Sequence, residues 1–363
     1  MPAAVHQFLP TLAPRDAIGN HTVGTWRALR RAGVPGRIWA EYVHRDLLGA
    51  GRHYRGYRRR LPGIGRPRRA LLYQASTGTD GLVDFLLGRQ EPLALCYHNI
   101  TPPEFFDLYD ATAAERSRRG REELRRLVPR TSVAFADSEF NAGELRSLGA
   151  DGVGVVLPYT GTGSVAEADP EHEQRLQAGK KGIDLLFVGR MMPHNGILHL
   201  LRLAAVLRAG GDVPVRLFLV GARGPRSFMS TVHHLQEELR LEDTVFITGS
   251  LSEAQLAAHY ATADLFLCLS EHEGFCIPLV DAMRSGLPVV AYDAGAVGET
   301  LGGSGVLLGS LNALAVAEVV HRVGADDALR RQLRERQQKR AAELDGFDRD
   351  AALLRALHPI IEG

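Results

Sequence analysis

Lysine is almost missing from this chain: among 43 basic residues only Lys180, Lys181 and Lys339 are lysines. The remainder are arginines, which reads as a compositional bias more than as a phosphate-binding design, so each arginine has to be judged by its position. Cysteine is equally scarce. Cys96, Cys268 and Cys276 are odd in number and form no C-x-x-C pair, so their spacing supports neither a disulfide framework nor a zinc site and fits a reducing cytoplasm. Charge of one sign is not in excess either, because the formal net charge is +1, which argues against nucleic acid as a partner. Long apolar runs are absent: none approaches the ~18 to 20 residues needed to span a bilayer, and the opening MPAAVHQFLPTLAPRD lacks the basic start and long apolar core of a secretory signal. A cytoplasmic protein is expected. One stretch, 52–69 (RHYRGYRRRLPGIGRPRR), mixes arginine, tyrosine and glycine as a solvated loop or a peripheral membrane contact would.

What is present is an alternation of short apolar runs and amphipathic segments over 363 residues, longer than a single core usually grows. Strands are expected at 5–9, 37–40, 70–74, 93–97, 132–136 and 153–157, with helices near 22–32, 104–128 and 141–148. The stretch 159–182 loses the pattern and reads as a linker. A second series follows, with strands at 183–188, 215–220, 244–247, 264–270, 288–292 and 305–308 and helices between them. The expected fold is α/β, two Rossmann-like doubly wound domains facing across a cleft. Domain boundaries are placed at 1–160 and 161–345, with 346–363 as a terminal helical segment packing back on the first domain.

Four strand-end turns stand out. Residues 13–20 offer Gly19 for close approach to a phosphate or sugar. His98 and Asn99 follow the strand at 93–97. Gly189 and Arg190 precede Pro193, His194, Asn195 and Gly196 at a helix start, where the guanidinium fork and free N–H groups suit a diphosphate. Residues 264–299 pack a strand, a polar turn with Glu271 and Glu273, a helix and a second strand into one unit. Pro278 is expected at the first helical position and Asp281 in the first turn of that helix. A carboxylate at Glu273 can accept hydrogen bonds from several sugar hydroxyls while displacing phosphate toward the N–H groups.

Ser270 to Met283, followed by Gly286 to Val290, resembles the signature of the family-4 retaining glycosyltransferases of the GT-B fold. Phe187, Val188, Gly189 and Arg190 with Pro193 and Gly196 resemble that family's diphosphate-binding turn. Tyr97 to Pro102 resembles its amino-domain loop, Gly249 the turn near the nucleobase, and 295–301 the loop after the signature helix. The resemblance implies a retaining, front-face transfer of a sugar from a nucleoside diphosphate sugar to an acceptor hydroxyl. It implies Glu273, His98 and Arg190 as catalytic residues, with no metal and no cofactor. Donor binding falls to Gly19, Gly189, Arg190, Asn195, Gly249, Glu273, Gly274, Phe275, Cys276, Ile277 and Asp281, the last on the ribose. The acceptor is open among a saccharide, a lipid-linked acceptor and a small metabolite. Three positions depart from the family: Asn195 stands for a lysine, Asp281 for a second glutamate and Cys276 for a glycine. The lysine missing at Asn195 permits a nucleotide-sugar-binding pseudoenzyme as an alternative, and another reaction of the same fold, epimerisation or hydrolysis of a nucleotide sugar, is a second, which would need an acid–base pair near the sugar C2.

Overall fold

The computed structural model describes residues 3–14, 16–57, 68–159, 166–210 and 213–362. Most of the basic stretch 52–69, and 160–165 of the expected linker, lie outside the described residues. The chain divides into two compact units, Met1–Glu104 with Ala111–Thr162 and Phe347–Gly363, and Phe105–Asp110 with Gly163–Gly346.

The first unit contains β1 (Ala4–Leu12), α1 (Ala17–Arg31), β2 (Ile38–Val43), β3 (Gly51–His53), β4 (Arg69–Ala75), α2 (Leu82–Leu87), β5 (Leu93–Tyr97), α3 (Ala111–Leu127), β6 (Val133–Ala136), α4 (Glu139–Ser147) and β7 (Gly154–Val155). All strands are parallel, in the order β3-β2-β1-β4-β5-β6-β7. Sequence order reverses between β1 and β4, and loops at the carboxyl ends of strands beside such a reversal are where doubly wound folds bind ligands.

Two expectations need correction here. Helix α1 begins before Thr22, because Asp16 caps it and accepts the Gly19 N–H at 2.7 Å, so the turn after β1 is shorter than its proline and glycine content suggested. The helix expected from residue 104 begins only at Ala111; a short 3-10 turn, Pro103–Phe105, comes first, and Phe105–Asp110 belongs to the other unit.

The second unit contains α5 (Pro170–Ala178), β8 (Ile183–Val188), α6 (Ile197–Gly210), β9 (Val215–Val220), α7 (Arg226–Glu238), β10 (Val245–Gly249), α8 (Glu253–Thr262), β11 (Leu265–Cys268), α9 (Ile277–Arg284), β12 (Val289–Tyr292), α10 (Val297–Leu301), β13 (Val306–Leu308), α11 (Ala313–Ala325) and α12 (Asp327–Asp345). Its parallel sheet runs β10-β9-β8-β11-β12-β13, with the reversal at β8 and β11. Within the expected linker, α5 is a true helix, started by Pro170 and capped by Asp169, which accepts the His172 N–H at 3.0 Å. The final helix, α13 (Arg349–Ile361), returns to the first unit. It buries Leu353 and Leu357 among Val5, Leu29 and Phe135, and its Ile361 carbonyl accepts the Ala3 N–H at 3.0 Å.

One ion pair holds the root of β8. The Arg216 guanidinium on β9 forks onto the Asp184 carboxylate at 2.7 and 2.6 Å, and the Asp184 side chain is 2% exposed. Removing one partner of a buried pair strands the other charge. Asp184→Ala should therefore lower stability by about 3–5 kcal/mol in chemical denaturation; a change below about 1 kcal/mol would show that solvent replaces the carboxylate.

Candidate functional site

In the second unit the turns after β8 and β11 lie side by side at the strand-order reversal. Glycines make the contact feasible. Gly196 adopts φ 69°, and a Cβ there would lie 2.0 Å from the Leu269 carbonyl oxygen. The Glu271 N–H donates to the His194 carbonyl at 2.8 Å, joining the turns directly. Gly189 donates to the Val220 carbonyl at 2.9 Å, and the Arg190 guanidinium that follows is exposed with no hydrogen-bond partner among the described residues. Asn195 does not point its amide at solvent as a stand-in cation. It donates to the Arg190 carbonyl at 2.8 Å and closes the turn that presents that arginine. His194 beside it packs its ring 6.0 Å from Phe105 and 5.7 Å from Phe106, and burial, with His272 and Arg190 nearby, pushes its pKa down to about 3. A neutral His194 adds no positive charge next to Arg190.

The β11 turn is held from two sides. The Glu273 carbonyl accepts the Ala296 N–H at 2.9 Å, the Thr300 hydroxyl donates to the Phe275 carbonyl at 2.6 Å, and a Cβ on Gly295 would meet the Glu273 carbonyl at 2.2 Å. Gly274 lies between these anchors and is partly exposed. Cys276 is the N-cap of α9 with φ 67°, a left-handed conformation costly for a residue with a Cβ. The glycine that the resemblance expects at this position would adopt it freely.

Glu273 keeps partial access to solvent, yet the density of protein around its carboxyl pushes its pKa up to about 7, against hydrogen bonds from Ser270 and Cys276. Its charge therefore depends on what occupies the site.

Helix α9 starts at Ile277, so Pro278 is its second residue, and Asp281 sits beyond the first turn, which holds no acid. The expectation that Asp281 gains from the helix start is corrected on this point. Its carboxylate is fixed instead by Arg284, one turn on, at 2.9 Å, and Arg284 is also gripped by Asp345 of α12. Burial pushes the Asp281 carboxyl up and Arg284 pulls it down, with a net rise. Sequence reading missed Arg284; an acid and an arginine three apart on one helix face was the available signal. Gly249 ends β10 at φ 74°, just past a register shift, and its carbonyl accepts the Gly221 N–H at 3.0 Å.

In the first unit, the carboxyl edge of the sheet carries a continuous chain of hydrogen bonds. Gln7 on β1 donates its amide to the Thr22 carbonyl at 3.1 Å, Gln74 on β4 donates to Gln7 at 2.8 Å, and the Gln74 oxygen then faces His98 Nε2 at 2.7 Å. A backbone carbonyl can only accept, so the chain has one direction and His98 Nε2 carries a proton. Nδ1 meets Asp137 across 2.7 Å. Both nitrogens of His98 are thus engaged. Asn99, next in the chain, adopts φ 73° and donates to Asn141 at 2.8 Å and Glu144 at 3.2 Å, a strained turn of the kind found at functional sites. Gly19 is buried, and its N–H is taken by Asp16, which leaves it a steric role.

Among the described residues, two groups bring metal-ligating atoms within 4.8 Å of one another: His21, Cys96, His98 and Asp137, and Cys268, Glu273 and Cys276. The first does not suit a metal. His21 Nδ1 accepts the Tyr159 N–H at 3.2 Å, which puts the ring proton on Nε2, the atom facing Cys96 at 3.8 Å. A ligand nitrogen there would need its lone pair.

Two Rossmann-like parallel-sheet units, with strand-end turns at both reversals, define the GT-B fold. The sucrose-phosphate synthase of Thermosynechococcus elongatus superposes with a TM-score of 0.74 over 97% of each chain at 18% identity. Residues 168–340, within the second unit, match the family model described as Glycosyl transferases group 1. The chain is 41% identical over 134 residues to the GDP-mannose-dependent alpha-mannosyltransferase of Mycolicibacterium smegmatis, covering 37% of this chain and 32% of that protein. It is 26% identical over 342 residues to the D-inositol 3-phosphate glycosyltransferase of Streptomyces bingchenggensis, covering 89% of this chain and 71% of that protein. The alignments to the first curated relatives thus span about a third or less of their length. Among the described residues no helix is long and apolar enough to cross a membrane.

The Gly295 contact can be separated from the effect of positive φ alone. Gly303 has φ 74° with open space at its Cβ position, whereas Gly295 has φ 58° with the Glu273 backbone in the way. Gly295→Ala should destabilise the protein by at least about 1 kcal/mol more than Gly303→Ala in equilibrium unfolding. Equal losses would mean that the β11 turn yields without cost.

Proposed function

We propose that the protein is a retaining glycosyltransferase that moves a sugar from a nucleoside diphosphate sugar to an acceptor hydroxyl. The observation that carries this reading is the joining of the β8 and β11 turns: an uncommitted arginine is held on one and an acid on the other, at the strand-order reversal of one sheet. The match of residues 168–340 to a glycosyltransferase family model supports the same assignment for the second unit. In this reading Arg190 and the amino end of α6 neutralise the leaving diphosphate, and Glu273 accepts hydrogen bonds from the hydroxyls of the sugar.

The transfer itself is a front-face displacement. The bond from the anomeric carbon to the diphosphate breaks as the acceptor oxygen approaches on the same side, and the departing diphosphate oxygen takes the acceptor's proton. No dedicated base is then needed, and the protein contributes position and charge. Because Arg190 and helix N–H groups meet the leaving-group charge, no metal is assigned to this step.

Gly189 and Gly249 let backbone approach the nucleotide. Gly274, Phe275 and Ile277 line the sugar and phosphate. Asp281 reaches the ribose only by sharing its carboxylate with Arg284, a competition that weakens the ribose contact. With both ring nitrogens committed, His98 serves by holding the Asn99 turn in shape and not by moving a proton. The acceptor class, a saccharide, a lipid-linked acceptor or a small metabolite, is served by the first unit. A peripheral membrane contact through 52–69 would suit a lipid-linked one.

The test is donor turnover. Purified protein should release nucleoside diphosphate from a nucleotide sugar once a competent acceptor is added, with guanosine and uridine donors tried first. Glu273→Ala should reduce transfer by roughly 100-fold or more, the loss of charged hydrogen bonds to the sugar, while affinity for the sugar-free diphosphate changes by less than about threefold. Unchanged transfer would remove Glu273 from the site; tight diphosphate binding with no turnover of any donor would leave a binding protein.

A further inference from the structure

The spacing of Cys268 and Cys276 carries no zinc signature, but the fold brings them together. Cys268 ends β11 and Cys276 caps α9, and their Sγ atoms lie 3.9 Å apart. Both are buried. The Cys268 thiol also lies 3.5 Å from the Ser270 hydroxyl, and Glu273 completes a trio whose candidate ligand atoms all lie within 4.8 Å of one another. Unlike the His21 group, none of the three has its ligand atom blocked by a proton it cannot lose.

The separation of the two sulfurs distinguishes two chemistries. A disulfide needs about 2.05 Å between sulfurs, so it would pull a strand end and a helix cap together by about 1.9 Å. Two thiolates on one tetrahedral zinc, with Zn–S near 2.3 Å, stand about 3.8 Å apart. The observed 3.9 Å needs almost no adjustment for the metal. Two sulfurs and one carboxylate oxygen form a donor set that favours Zn²⁺ over Mg²⁺ or Mn²⁺, and three protein ligands leave a fourth position for water or a competing group. Glu273 retains partial solvent access, which provides the entry.

We propose that Cys268, Cys276 and Glu273 form an inhibitory zinc site built into the β11 turn. Binding replaces two S–H bonds with two Zn–S bonds; both thiol protons pass to buffer, as does the Glu273 proton wherever that carboxyl is protonated, and Glu273 coordinates as carboxylate, with no change of oxidation state. The inhibition, resting on the function proposed above, follows because zinc occupies the carboxylate that the donor sugar requires. Sugar-free nucleoside diphosphate does not use that carboxylate. Cys276, the departure from the family's glycine, is thereby given a ligand's role in place of a mere loss of space.

The probe is Co²⁺ added to the reduced full chain. The expected result is one Co²⁺ per chain with a thiolate-to-cobalt charge-transfer band, displaced by Zn²⁺ and accompanied by release of the two thiol protons and of any proton held by Glu273. The band should survive in Cys96→Ala and be lost in Cys268→Ser and Cys276→Gly, with at least ~100-fold weaker binding. Cys276→Gly also removes the side chain from a left-handed position, so its thermal unfolding should show an intact fold. No band in the native protein, or a band that persists in Cys276→Gly, overturns the site. In the second arm, Zn²⁺ should weaken binding of an intact nucleotide sugar to the native protein and leave nucleoside diphosphate binding unchanged. A cobalt band without that competition would uphold the metal site and overturn the assignment of Glu273 to the sugar.

Discussion

The hydrogen bond from the Glu271 N–H to the His194 carbonyl, 2.8 Å long, is the contact on which the site in the second unit depends. It joins the turns that follow β8 and β11, adjacent strands at the point where sheet order reverses. Without it, Arg190 and Glu273 would stand on independent loops, and their placement would cost ordering entropy at each binding event. The bond is possible because Gly196 lets the β8 turn lie against the Leu269 carbonyl. The Asn195 amide and the Gly295 to Glu273 packing then hold each turn from its outer side. Positive charge, acid and close backbone are thereby arranged before a ligand arrives.

The same arrangement explains the three departures from the family pattern in physical terms. Asn195 forgoes a cation and closes the turn instead. Asp281 is drawn into a bridge with Arg284 that α12 shares through Asp345. Cys276 pays for its Cβ in backbone strain and brings a second sulfur beside Cys268. At Asn195 and Asp281 the side chain is engaged by protein, and Arg190 remains an exposed cation on the β8 turn.

Much of the fold was legible in the chain. Strands β5, β8 and β9 fall where their apolar runs lie, because a strand buried on both faces needs a largely apolar stretch, broken in β8 and β9 by the paired Asp184 and Arg216. Segments set by capping or by long-range packing were harder to read. Asp16 extends α1 backward through one side-chain bond, α5 hides in a polar stretch where only the Asp169 and Pro170 pair marks it, and Phe105–Asp110 leaves the expected helix because its aromatics pack on His194 and Phe228 within the second unit. In the site, Gly249 and Gly274 entered only through the resemblance, whereas Glu273, Arg190, Gly19 and Gly189 could be singled out from strand-end position. The Arg284 bridge, the relay through Gln7, Gln74, His98 and Asp137, and the meeting of Cys268 with Cys276 could not. Those depend on strand order and helix phase, which no local pattern encodes.

The central claim, that the β8 and β11 turns act as one donor-binding surface, is tested most directly by hydrogen exchange with and without a nucleoside diphosphate. Protection should rise together in peptides covering 189–196 and 270–277, with the same ligand dependence. Protection confined to one turn, or found in neither while the ligand is bound, would contradict the account.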